Sequence, residues 1–83
     1  MPHIKIKIEA FGAVARQLPQ HVEILCKLNS TIGEVLVQLE QDYPAAFAMI
    51  ERCACAMGED IIPRQTRLHS NSTLVLLSPV AGG

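Results

Sequence analysis

Thr73-Leu74-Val75-Leu76-Leu77-Ser78-Pro79-Val80-Ala81-Gly82-Gly83 closes the sequence with an apolar run followed by a proline and a glycine pair. Thr73 to Leu77 is a β-rich run, apolar on both faces, which predicts a strand inside a sheet rather than at its edge. Pro79 fixes φ and stiffens the chain beyond that strand. Val80 offers a small apolar anchor, and Gly82 and Gly83, without Cβ atoms, make a thin thread suited to a narrow slot on another protein. Fully extended, residues 78 to 83 reach about 20 Å. Taken as the end of the chain, Gly83 carries an α-carboxylate at the tip of that thread. The expected division is a folded domain over 1–77 and an extended tail over 78–83.

Upstream, His3 to Glu9 alternates strictly, with Ile4, Ile6 and Ile8 on one face and charge on the other, a half-buried strand. Phe11-Gly12 punctuates it, and Ala13 to Leu18 is a short turn or helical piece stopped by Pro19. Val22 to Leu28 alternates again, with Val22, Ile24, Cys26 and Leu28 sharing a face. Thr31-Ile32-Gly33-Glu34 fits a capping box. Behind it, Ile32, Val35, Leu36, Leu39 and Tyr43 form a helical stripe, with Glu34, Gln38, Gln41 and Asp42 opposite. Ala45 to Arg52 predicts a second short helix, Cys53 to Met57 a third strand, and Ile61-Ile62 a brief edge strand after the Gly58-Glu59-Asp60 turn. Leu68 to Ser72 reads as a polar turn leading into the last strand.

One amphipathic helix needs one apolar surface, and one mixed sheet supplies it. With the first and last strands parallel neighbours, the expected fold is α+β, the ubiquitin-like β-grasp: a mixed sheet, one main helix on one face, and a flexible Gly-Gly tail leaving a central strand.

Composition narrows the function. Eighty-three residues make one domain, and 49% hydrophobic content argues for a packed globule. Seven Lys/Arg against eight Asp/Glu leave a net charge of −1, which is no nucleic-acid footprint. The apolar runs are too short to span a membrane, and no basic-then-apolar leader opens the sequence. A cytoplasmic protein without nucleic-acid or membrane partners is expected. Cys26, Cys53 and Cys55 are a poor disulfide framework, and Cys53-Ala54-Cys55 on a strand points both thiols to one face. Buried small apolar residues are the expected role of this pair, with no metal site. His3, His21 and His69 are isolated, and no base–nucleophile spacing or phosphate loop is present.

The chain resembles the family of the molybdopterin synthase small subunit, the ubiquitin-like sulfur carriers that also include the thiazole-synthesis carrier. The likeness rests chiefly on the ending Leu77-Ser78-Pro79-Val80-Ala81-Gly82-Gly83, since members typically close with Pro-Pro-Val-(Ser/Ala/Thr)-Gly-Gly. Phe11-Gly12-Ala13-Val14 and Thr31-Ile32-Gly33-Glu34-Val35-Leu36 are also similar. There are departures. Ser78 replaces the first proline, which is expected to loosen the tail's root by one torsion; Asn71-Ser72-Thr73 lacks the usual acidic residues; and Arg16-Gln17 is a shifted counterpart of an Arg-Glu pair.

The resemblance implies a chemistry. An adenylating, ubiquitin-activating-like enzyme uses ATP to activate Gly83, a persulfide sulfur donor converts it to a thiocarboxylate, and the large subunit of molybdopterin synthase receives the tail. On that basis Gly83 is the reacting residue, Pro79, Val80, Ala81 and Gly82 lie in the partner's channel, and Phe11, Leu74, Leu76 and Leu77 are the candidate interface. Val75 and Leu77 point oppositely to Leu74 and Leu76, so one pair faces the helix while the other, with Phe11, covers a partner. The protein binds no cofactor and is no enzyme alone; ATP belongs to the activating partner. Other readings stay open: a carrier for thiazole, cysteine or nucleoside thiolation, a modifier conjugated to lysines, or a plain interaction module or Cys-x-Cys protein.

Overall fold

The computed structural model describes residues 2–79. Five strands, β1 (His3–Phe11), β2 (Val22–Lys27), β3 (Ala54–Met57), β4 (Asp60–Ile61) and β5 (Ser72–Leu77), form one sheet in the order β2-β1-β5-β3-β4. β1 and β5 run parallel; every other pair is antiparallel. Helix α1 (Ile32–Asp42) and the short α2 (Phe47–Arg52) complete the layers, with 3-10 turns at Gly12–Gln17 and Pro44–Ala46. This is the β-grasp arrangement.

Each element follows from local chemistry. In β1 the isoleucines Ile4, Ile6 and Ile8 are buried while Lys5, Lys7 and Glu9 are exposed, as period-2 alternation demands. The strand runs two residues past the alternation, because Ala10 and Phe11 continue the pairing by lying opposite Leu76 and Leu77. At the start of α1 all four orphan N–H groups find partners. Thr31 N–H donates to Glu34 Oε1 at 2.8 Å, and Glu34 N–H to Thr31 Oγ1 at 3.1 Å. Ile32 N–H donates to the Thr66 carbonyl at 3.0 Å and Gly33 N–H to that of Arg64 at 2.9 Å. The long connection between β4 and β5 therefore docks on the helix entrance.

Leu68 belongs to that docking. It is 2% exposed, and its backbone pairs with Ser30 and Asn29. The polar turn expected from Leu68 onward thus begins one residue later, since Leu68 is an anchor of the core. The edge strand lies one residue earlier than its sequence pattern implied, at Asp60–Ile61, where Asp60 and Ile61 pair with Met57 and Ala56.

The core sits between the sheet and α1. Ile6, Val14, Ile32, Val35, Leu36, Leu39, Ile50, Leu74 and Leu76 are its most enclosed side chains, each contributing roughly 1.5–3 kcal/mol by burial. One charged-type residue is buried with them: Glu40, on the third turn of α1, whose Oε2 has no hydrogen-bond partner. No helix among the described residues is long and apolar enough to cross a membrane.

Candidate functional site

The parallel pairing of β1 and β5 decides where the chain leaves the domain. Both strands run in one direction and end side by side, Phe11 opposite Leu77. Ser78 and Pro79 emerge at that end, and Pro79 is exposed.

The exit is tightly tied. Ser78 N–H donates to the Phe11 carbonyl at 3.1 Å, extending the ladder one residue beyond β5. Ser78 Oγ–H donates to the same carbonyl at 2.9 Å, while Val14 N–H donates to Ser78 Oγ at 2.8 Å. Val14 lies in the first turn of the Gly12–Gln17 3-10 turn, where an N–H has no helical partner, and the turn's own N-cap residue supplies no side-chain bond. Ser78 caps it from the far end of the sequence. Gly12 permits this contact: its φ is +84°, and a Cβ there would stand 2.9 Å from Ser78 Cβ. Serine in place of proline is expected to loosen the root by one torsion; its hydroxyl instead adds two hydrogen bonds there that a proline could not make.

Around the exit, register assigns the open face of the sheet. Side chains of directly paired residues share a face, so Phe11, Leu77 and Ala54 form one row, and Glu9, Val75, Ala56 and Ile61 the next. Phe11 is 54% and Ile61 66% exposed, with Val75 and Leu77 half-buried between them. Further along, the face turns polar through Lys7, Thr73, Lys5 and Glu23, where Lys5 Nζ meets Glu23 at 4.0 Å. An apolar patch thus adjoins the exit, and a charged strip lies behind it.

Leu74 and Leu76 are corrected from interface to core. Both are 0% exposed, because Leu74 pairs with the inward Ile8 and so points to the helix. The outward pair is Val75 and Leu77, and Ile61 joins them, a residue the sequence reading had placed only in an edge strand. The residues Val80, Ala81, Gly82 and Gly83 lie outside the described residues.

The thiols face away from the open side of the sheet, and Cys53 meets the Ser78 side chain from beneath. Cys53 and Cys55 both face inward, with exposed Ala54 between them. Burial pushes both thiols above the ordinary cysteine range, and Cys53 Sγ donates to the Met49 carbonyl at 3.1 Å. Groups so protonated and enclosed are poor nucleophiles. Among the described residues no group of three or more His, Cys, Asp or Glu side chains converges to hold a metal ion.

Comparison with known proteins places this geometry. The ThiS family matches residues 10–83. The chain is 28% identical over 82 residues to the molybdopterin synthase sulfur carrier subunit of Mycobacterium tuberculosis, covering 96% of this chain and 99% of that protein. Among solved structures, SAMP1 from Haloferax volcanii superposes with a TM-score of 0.83 at 17% identity, covering 95% of this chain and 99% of that one. A chain of the complex of subunits 1 and 2 of molybdopterin-converting factor from Helicobacter pylori superposes with a TM-score of 0.63 at 22% identity, covering 96% and 100%. At these identities the two superpositions speak for the fold.

Proposed function

The chain belongs to the ThiS family, and from that premise we propose that it is a sulfur carrier, the small subunit of a molybdopterin synthase. One observation supports the reading above the others. The parallel β1–β5 pair delivers the chain's last segment beside an exposed apolar patch of Phe11, Val75, Leu77 and Ile61. A partner seated on that patch would meet the chain where Ser78 and Pro79 leave the sheet. The M. tuberculosis relative is a molybdopterin synthase sulfur carrier subunit, and the H. pylori structure is a complex of subunits 1 and 2 of molybdopterin-converting factor.

The chemistry follows from the inertness of a carboxylate, an anion with no good leaving group. The proposed course begins with an adenylating partner joining the Gly83 carboxylate to the α-phosphate of ATP, releasing pyrophosphate. A persulfide sulfur then attacks the acyl carbon and expels AMP. A thiol cleaves the resulting S–S bond, forming a disulfide with the donor and leaving a thiocarboxylate on Gly83. Docked on the large subunit, that terminus joins its sulfur to a pterin precursor, and water then cleaves the acyl–sulfur bond, leaving the sulfur on the acceptor and a carboxylate on Gly83. Glycine at 82 and 83 suits a narrow channel, since a Cβ would meet its walls. The patch supplies the apolar centre of a protein interface, where aromatic anchors dominate affinity.

The test is intact-mass analysis of the chain incubated with an adenylating enzyme, ATP and a persulfide source. One oxygen replaced by sulfur is expected, and deleting Gly83 should abolish that gain without altering thermal unfolding. In the same assay Phe11→Asp should weaken partner binding by about 2 kcal/mol or more while leaving the fold intact. Full sulfur loading of the Gly83 deletion would remove the reading. Tail-dependent adducts on lysines in place of a thiocarboxylate would mark a protein modifier instead.

A further inference from the structure

We infer that Ser78 is a positioning residue that fixes the heading at which the C-terminal segment leaves the sheet, and thereby sets how readily its end reaches a partner's reacting centre. This assignment rests on the sulfur-carrier reading above.

The case is geometric. Ser78 is held by backbone and side chain together: its N–H and its hydroxyl both donate to the Phe11 carbonyl, and the hydroxyl accepts from Val14 N–H. The hydroxyl's one proton and one of its two lone pairs are thereby committed, which favours a single rotamer. The contacts come from two different elements, the end of β1 and the 3-10 turn at Gly12–Gln17, so the residue is triangulated rather than merely tethered. Gly12, at φ +84°, brings the turn close enough to make this fit.

Two further constraints follow in sequence. A residue before proline is confined to extended backbone, and the proline ring fixes φ at Pro79. From Leu77 to the Pro79 ring the chain therefore has almost no free torsion. The four residues 80–83, when extended, reach at most about 14 Å. A few tens of degrees of play at the root would displace the far end by several ångström, and a misplacement of about 1 Å can cost on the order of 100-fold in rate. The sheet does not need the hydroxyl, because the Ser78 N–H bond alone continues the ladder; the hydroxyl acts at the turn, where it caps Val14 N–H, and beside the Cys53 thiol.

The experiment compares the full-length wild type with Ser78→Ala and Ser78→Thr, using the cognate ATP-dependent adenylating enzyme. Docking affinity is measured without ATP, and the saturating rate of adenylation by pyrophosphate exchange. Ser78→Ala is expected to keep its docking constant, because Phe11, Val75 and Leu77 are unchanged, and to lose several-fold in saturating rate, below the roughly tenfold cost of fixing one wholly free residue's backbone. Ser78→Thr, which keeps the hydroxyl, should recover most of that loss. Faster hydrogen exchange at the Val14 amide in Ser78→Ala will show that the tie is broken. Ser78→Cys, of similar shape but with a weakly bonding thiol, is the second variant and should follow Ser78→Ala. An unchanged saturating rate with Val14 deprotected overturns the assignment, as does a loss of docking in step with rate. A wild-type chain that gives no exchange at all sinks the sulfur-carrier reading first, a signature separate from any difference among the variants.

Discussion

Raising the pH from about 5 to neutrality should destabilise this protein, and one buried carboxyl is the reason. Glu40 is 7% exposed, with Oε2 lacking any hydrogen-bond partner. Burial first, then proton sharing with and repulsion from the neighbouring Glu51 carboxyl, push its pKa from 4.5 to about 7, against a smaller opposing pull from Arg64. The sign follows from linkage. The folded state holds the proton more tightly than the unfolded state does, so this contribution is fully present below about pH 4.5 and is lost as pH rises to about 7. Above that it is flat. The gap between 4.5 and about 7, at about 1.4 kcal/mol per decade of proton affinity, sets a ceiling of about 3.5 kcal/mol. For a domain of this size each kcal/mol moves Tm by about 4–8 °C. A fall on the order of 10 °C between pH 5 and pH 8 is expected.

Thermal unfolding followed by circular dichroism across that range reads the effect, and Glu40→Gln isolates it. The amide keeps the shape but cannot ionise, so its Tm should stay nearly level where the wild type declines. Glu51→Gln should remove only part of the decline, because burial is the larger cause. Glu34 works oppositely: its hydrogen bond from the Thr31 backbone holds the carboxylate below its ordinary range, and that contribution fades in acid. The comparison is therefore made above pH 5. If wild type and Glu40→Gln lose Tm equally between pH 5 and pH 8, Glu40 is not the group that titrates and the reasoning fails.

Two further substitutions separate backbone from packing effects by denaturant unfolding. Gly12→Ala meets both a positive φ and a Cβ 2.9 Å from Ser78, and should cost about 2–3 kcal/mol; Gly58→Ala has φ +61° but nothing within 4 Å, and should cost only about 1 kcal/mol. Leu74→Ala removes a fully buried side chain and should cost about 3 kcal/mol, whereas Leu77→Ala on the open face should cost under about 1 kcal/mol. Equal losses at Leu74 and Leu77 would mean that the two faces of β5 are assigned wrongly.

Where the sequence carried a phase, the fold could be read from it. Ile4, Ile6 and Ile8 alternate with charge, and the Thr31–Glu34 capping box appears with both its bonds formed. β5 carried no phase, since Thr73 to Leu77 is apolar on both faces. Only the register with β1, Ile8 against Leu74, sends Leu74 and Leu76 inward. Leu68 was hidden for another reason: its neighbours His69 and Ser70 are polar, and its burial depends on Ser30 and Asn29, distant in sequence. Glu40 was invisible as a buried acid because composition gives no sign of which helix face its neighbours close over.

The exit of the chain shows how a single long-range pairing can join several local features into a site. Phe11 ends an alternating strand, Gly12 begins a turn, and Ser78 follows a strand more than sixty positions away. Parallel pairing sets all three at one corner of the sheet, with the Phe11 carbonyl as the shared acceptor. The same pairing turns Phe11 and Leu77 outward together. An antiparallel β5 would have released the chain at the lysine-bearing end instead, beside Lys5 and Lys7. The association of apolar patch and departing tail is thus a consequence of strand direction, and a β-grasp domain acquires it by the order in which its first and last strands lie.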